Sequence, residues 1–168
     1  MKVVVSDTSP LFYLARIGRL SVLRELYGGV AVPESVWGEA LASEVAFPAI
    51  GMVLREAHSQ GWVSVHSVTG SCLDSRLAGL DAGEIDAIRL AREIGAGLLI
   101  IDEKLGREAA ECMGLYVCGT LGVLVAAKRR GLITMIAPEL QRLRSETSFR
   151  FARELEQFVL EQVGEQSP

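Results

Sequence analysis

The chain has 168 residues, 49% of them hydrophobic, and a formal net charge of −4. That is long enough for one domain with a real core and short for two. The acidic balance excludes a protein that coats nucleic acid indiscriminately, because such binding scales with the number of phosphates neutralised; any nucleic-acid contact must be local.

From the N-terminus, short β-branched runs recur as Val3-Val4-Val5, Val30-Ala31-Val32, Trp62 to Val68, Leu98 to Ile101 and Tyr116-Val117-Cys118. Helical patterns lie between them, and that alternation predicts a parallel sheet with crossover helices. Ser9-Pro10 and Pro33 supply helix starts, Thr120 is placed as an N-cap, and Gly95, Gly114 and Gly131 sit where C-terminal glycines belong. Ser67 to Gly79 mixes Ser, Thr, Gly and Asp without periodicity and reads as a loop. A last amphipathic helix over roughly 149–163 places Phe151, Leu155, Phe158 and Val159 on one stripe, expected to face the core.

No apolar stretch approaches the roughly 20 residues of a membrane span, and Asp7 interrupts the first apolar run too early for a signal peptide. The expected compartment is the cytoplasm. Cys72, Cys112 and Cys118 match neither a disulfide framework nor a zinc pattern and are expected to be reduced and at least partly buried. His58 and His66 lack soft partners, which argues against zinc. Local basic patches are Lys104 with Arg107, the run Lys128-Arg129-Arg130, and Arg142 with Arg144; solvated faces are the ordinary reading of such charges.

In a parallel sheet, residues just after a strand and residues opening a helix share one edge, where ligand sites form. Asp7 follows the first strand, Asp102 follows the fourth, and Glu84 opens the helix leading to that fourth strand. Glu34 and Glu39, on the helix begun by Pro33, approach the same edge. Clustered carboxylates repel by about 4 kcal/mol per pair at about 4 Å and an effective dielectric near 20. A divalent cation removes that cost, and oxygen-only donors select Mg²⁺ or Mn²⁺, which suit phosphodiester hydrolysis. Structural roles compete: Asp81-Ala82-Gly83-Glu84 fits a capping box, and Asp7 and Asp102 could each cap the following helix. Glu34 lies in the first helical turn, where the helix dipole favours an acid whatever its function. Glu39 lies about 7.5 Å further along the axis and about 140° around it, so the two cannot share one metal. Two other doubly wound acidic classes fit less well. A receiver domain needs an acidic pair near the first strand, and an aspartyl-nucleophile phosphatase needs Asp-x-Asp where Ser9 stands.

At Val5-Ser6-Asp7-Thr8-Ser9-Pro10-Leu11, Val32-Pro33-Glu34-Ser35-Val36-Trp37-Gly38-Glu39, Leu80 to Ile88 and Ile100 to Arg107, the chain resembles PIN-domain proteins, and within them a prokaryotic branch carrying S-D-T-S-P-L, G-E-x-x-A-I and D-x-x-x-G-R. The resemblance continues through Gly119 to Leu124 and Lys128 to Leu132, up to about residue 135. It implies a Rossmann-like three-layer α/β/α sandwich: a nuclease domain of residues 1–135 and a helical extension, 136–168, packed on the same domain. It also implies Mg²⁺- or Mn²⁺-dependent cleavage of RNA, frequent service as the toxin of a toxin–antitoxin pair with a small antitoxin protein as partner, and a homodimer. The matching metal and catalytic positions are Asp7, Glu39, Glu84 and Asp102; Thr8 and Ser9 are hydroxyl contacts near the metal. Arg107 is the phosphate contact, with Lys104 one turn earlier on the same helix. Glu84 stands where many PIN domains carry aspartate, and its longer side chain is expected to reach the metal through water.

Overall fold

The computed structural model describes residues 3–70 and 74–165; Met1, Lys2 and Cys72 fall outside the described residues. Five parallel strands form one sheet: β1 (Val4–Ser6), β2 (Val30–Pro33), β3 (Val63–His66), β4 (Leu98–Ile100) and β5 (Val117–Cys118), in the order β3-β2-β1-β4-β5. All five expected strands are present, each within a residue or two of its expected ends. Their registers join Val5 to Ala31, Val32 to Val65, Ser6 to Ile100 and Ile100 to Cys118. β1 and β2 are buried along their whole length, which is why they read as unbroken apolar runs: a parallel strand covered on both faces has no polar side to alternate with.

The helices are α1 (Thr8–Arg16), α2 (Ser21–Tyr27), α3 (Glu34–Ala42), α4 (Pro48–Ser59), α5 (Ala82–Glu93), α6 (Lys104–Cys112), α7 (Thr120–Arg129), α8 (Ala137–Glu146) and α9 (Arg153–Glu161). α5 packs on β1, β2 and β4 and touches α3 and α6, whereas α7 packs on β5 and touches α1 and α2. The result is the expected three-layer sandwich. Gly95, Gly114 and Gly131 adopt φ of 60°, 81° and 72°, the left-handed turn that ends a helix. Among the described residues no helix is long and apolar enough to cross a membrane.

Three local expectations are corrected. Thr120 is not an N-cap; Gly119 holds that position, and Thr120 is the first helical residue with its hydroxyl turned to Asp102. The loop 67–79 contains a short 3-10 turn, Ser75–Leu77, because Asp74 accepts a hydrogen bond from the Arg76 amide. The stripe on the last helix does not face the core as a unit. Val159 and Leu160 are buried, but Leu155 is 43% and Phe158 56% exposed, since α9 docks along one edge of that stripe. Ile136, Leu140 and Leu143 of the α8 segment join Val159 and Leu160 in the same core as the sheet. Cys112 is exposed and Cys118 half-buried, both as free thiols.

Candidate active site

β1 lies between β2 and β4, so the chain winds outward through β2 and β3 and then returns to the other side of β1. The C-terminal ends of β1 and β4 flank this reversal, the place where open α/β sheets bind ligands. The Asp7 amide donates to the Ile100 carbonyl at 2.9 Å, holding the ends of the two strands level. Asp7 leaves β1 there, and Asp102 leaves β4.

Asp7 occupies the N-cap position of α1 yet makes no side-chain cap hydrogen bond. Its carboxylate is buried at 4% exposure. Burial pushes its pKa up to about 7, opposed by the Thr8 amide and reinforced by the charges of Asp81 and Glu84. Glu84 is also buried and completes the capping box of α5: its amide donates to Asp81 at 2.8 Å, and its Oε2 accepts from the Asp81 amide at 3.0 Å. Burial, then Asp81, Glu103 and Glu39, raise its pKa, against the Asp81 amide. Both oxygens of Asp102 are held by Thr120, Oδ1 by the amide at 2.7 Å and Oδ2 by the hydroxyl at 2.6 Å. Asp102 therefore caps α7 across the sheet edge and leaves α6 to begin at Glu103, which makes no side-chain cap bond. Burial raises the Asp102 pKa, opposed by Thr120 and Arg107.

Glu39 and Glu34 separate as their 140° offset requires. Glu39 Oε2 accepts from the Thr8 hydroxyl at 2.7 Å. It also lies against Gly83, where an added Cβ would come within 2.9 Å of it, so the absent side chain at Gly83 makes room for Glu39. Glu34 instead accepts from Ser67 at 2.7 Å, beyond the end of β3. α3 packs on α1 and α5, and it is Glu39, in its second turn, that reaches Thr8 just after β1.

Asp7, Ser9, Asp81, Glu84, Glu103 and Leu105 line one cavity of about 310 Å³. Asp81 and Glu103 were not singled out as site residues. The capping box accounts for Asp81 in the sequence, and the signal for Glu103 is that it directly follows Asp102 at the strand edge. Among the remaining site residues, Thr8 spends its hydroxyl on Glu39, and Arg107 lines a second cavity together with Asp102. Lys104 points into solvent and lies 3.7 Å from Glu108, so it is not brought to the carboxylates. The other basic patches are largely consumed within the fold, Lys128 by Glu165, Arg142 by Glu146 and Arg144 by Glu156.

Among the described residues no three His, Cys, Asp or Glu side chains converge closely enough to hold a metal ion as they stand. The reason is visible: Glu84 is turned toward the Asp81 amide and Asp102 toward Thr120. The donor chemistry nonetheless fits a hard divalent cation. Every candidate ligand is a carboxylate oxygen, Asp7 and Glu84 are buried, and no Lys or Arg forms an ion pair with Asp7, Glu39, Glu84 or Asp102 among the described residues. Buried carboxylates without a cationic partner are costly, and a metal cation is the ordinary remedy.

No curated protein matches the chain, and neither does any solved structure. The family DUF3368, described as a PIN domain, matches residues 3–165. PIN domains are generally nucleases, act on nucleic acid and typically use divalent metal ions. With nearly the whole length matched, an all-parallel five-stranded sheet, and acidic residues at its reversal point, the chain belongs to the PIN-domain family.

Proposed function

We propose that the chain is a Mg²⁺- or Mn²⁺-dependent endoribonuclease. The observation that carries this reading is the pair of buried carboxylates, Asp7 and Glu84, at the reversal point of the sheet, with which no Lys or Arg forms an ion pair among the described residues. Asp7, Glu39, Glu84 and Asp102 would hold the cation, which supplies an activated water and charge neutralisation for in-line attack on the phosphodiester. The protein's own part is positioning. Thr8 fixes Glu39, Thr120 fixes Asp102, and the capping box fixes the backbone of Glu84. Ser9 faces the carboxylate cavity, and Arg107, within electrostatic reach of Asp102, is placed for a substrate phosphate; Lys104, further out in solvent, adds long-range attraction.

The biological setting in this proposal is that of a toxin held in check by a small antitoxin protein, in the cytoplasm. The enzyme works as a homodimer in this proposal. Residues 1–135 form the nuclease domain proper and 136–168 its extension. Purified protein is expected to cut a single-stranded RNA in Mg²⁺ or Mn²⁺ and not in EDTA, with Asp7→Asn and Asp102→Asn inactive. One observation favours a second reading, a PIN-like module that binds RNA or protein without cutting: the carboxylates do not close into a ready metal cluster. Clean protein that binds RNA and leaves it intact at every metal concentration would establish that reading instead.

A further inference from the structure

The second cavity beside Asp102 has about 480 Å³, within the roughly 300–1,000 Å³ of small-ligand sites. Its character is opposite to that of the carboxylate cavity. The carboxylate cavity is lined by four acids, Asp7, Asp81, Glu84 and Glu103, and by no Lys or Arg. The second carries three arginines, Arg107, Arg129 and Arg150, against the single acid Asp102, together with Phe149, Phe151 and Phe158. Consecutive residues ahead of α6 line the two, Asp102 the second and Glu103 the carboxylate cavity. A polyanion that presents one phosphate to the carboxylates and their cation would find cationic, aromatic surface immediately alongside.

Phe149 and Phe151 are partly buried against the core, and Phe158 is the exposed ring of the apolar wall. Phe149 and Phe151 pack against each other at 5.6 Å, and Arg144 covers Phe151 at 4.6 Å. Phe158 is 56% exposed and stacks on no other ring among the described residues. Gly122 also lines the groove and makes room for Cys118, whose Sγ would lie 2.5 Å from a Cβ there. An exposed phenylalanine ring beside arginines is the combination that binds unpaired bases, through stacking on the ring and charge on the backbone. A helical peptide would also be drawn by the apolar surface, but the excess of arginines and the position of Asp102 next to Glu103 of the carboxylate cavity favour a nucleotide.

We propose that this groove is a substrate subsite that seats an unpaired nucleotide of single-stranded RNA, flanking the phosphate presented to the carboxylates. The proposal rests on the nuclease reading for its position and on the groove's own chemistry for its ligand. It makes the C-terminal extension part of substrate selection, with duplex RNA excluded because a paired base cannot enter.

The test is fluorescence anisotropy of a labelled 12-nucleotide single-stranded RNA, in EDTA to prevent cleavage, alongside cleavage kinetics in Mn²⁺. Phe158→Ala is expected to weaken Kd roughly tenfold, the scale of one lost base stack. Phe158→Trp should restore it, which a merely structural role would not predict, and Arg150→Ala should weaken binding and flatten its salt dependence. A blunt-ended duplex of the same sequence should bind more weakly and be insensitive to Phe158→Ala. Wild-type protein that cleaves while Phe158→Ala and Arg150→Ala keep its Kd and kcat/KM would overturn the subsite and leave the nuclease intact. Binding that depends on Phe158 in a protein that never cleaves would keep the subsite and overturn the nuclease. A wild-type dimer that Phe158→Ala dissociates, at unchanged RNA affinity, would assign the groove to a second copy of the chain and overturn the proposal.

Discussion

Asp7 is a buried carboxyl with no ion-pair partner among the described residues, and the consequences are measurable without substrate. Its pKa rises from 3.8 to about 7 on folding, chiefly through burial. The folded state therefore binds more protons than the unfolded chain between those values, and metal-free stability falls as pH rises through that window. The loss is on the order of 4 kcal/mol once both states are ionised. Asp7→Asn removes the titration at nearly constant volume. In EDTA at pH 8 its melting temperature should exceed that of wild type, and the downward slope from pH 4 to 7 should flatten. A variant that melted lower than wild type at pH 8 would show that the Asp7 charge is stabilised by something else. A second prediction at this scale separates the two early glutamates. Glu39→Gln should lose metal-dependent cleavage by at least a hundredfold, whereas Glu34→Gln, whose partner is the distant Ser67, should retain it. The reverse pattern would transfer the catalytic role to Glu34.

At the scale of elements, α7 is what aims Asp102. The carboxylate takes both a backbone amide and a hydroxyl from Thr120, and Thr120 is itself buried. Thr120→Val keeps the shape and removes the hydroxyl, leaving Oδ2 without its donor. The expected cost is about 1–3 kcal/mol, the penalty of an unsatisfied polar partner, read as a lower midpoint in urea. Cleavage should fall severalfold more than binding, because the loosened carboxylate is a proposed metal ligand. Equal stability and equal activity would show that the α7 amide alone orients Asp102. The capping box behaves differently. Asp81→Ala breaks it and should cost about 1 kcal/mol, yet it frees Glu84 Oε2 from the Asp81 amide only if that backbone shifts.

For the whole molecule, two predictions follow from what the core and the carboxylates share. A cation bound only by the native state stabilises it by RT ln(1 + [L]/Kd), about 2.7 kcal/mol at a hundredfold excess over Kd. Melting temperature should therefore climb with Mg²⁺ or Mn²⁺ in wild type and stay flat in the doubly substituted Asp7→Asn, Asp102→Asn protein. No rise in wild type up to tens of millimolar would remove the metal site from consideration. A chain ended at residue 135 loses Ile136, Leu140, Leu143, Val159 and Leu160, all buried in the common core. At about 2–5 kcal/mol per large buried side chain, that truncation should unfold, shown by loss of the far-ultraviolet helical signal; a folded 1–135 fragment would make the extension a dispensable module.

Much of this architecture is legible in the sequence because it rests on local patterns. Five apolar runs separated by helical periodicity specify a parallel sheet, since only strands buried on both faces lose their polar alternation. Glycines after the last helical turns marked helix ends because a left-handed residue is needed there, and Asp81 with Glu84 spelled out its own capping box. The carboxylates after β1 and β4 could be placed on one edge from chain order alone. What the tertiary structure decided is everything that depends on which face of one element meets another. The packing of α3 set Glu39 on Thr8 and Glu34 on Ser67; the resemblance already points to Glu39, but not to these partners. The crossing of α7 against the end of β4 turned Thr120 from an expected cap into the anchor of Asp102. The docking of α9 along one edge of its apolar stripe left Phe158 in solvent beside the arginines, because periodicity identifies an apolar face while only packing determines how much of it is covered.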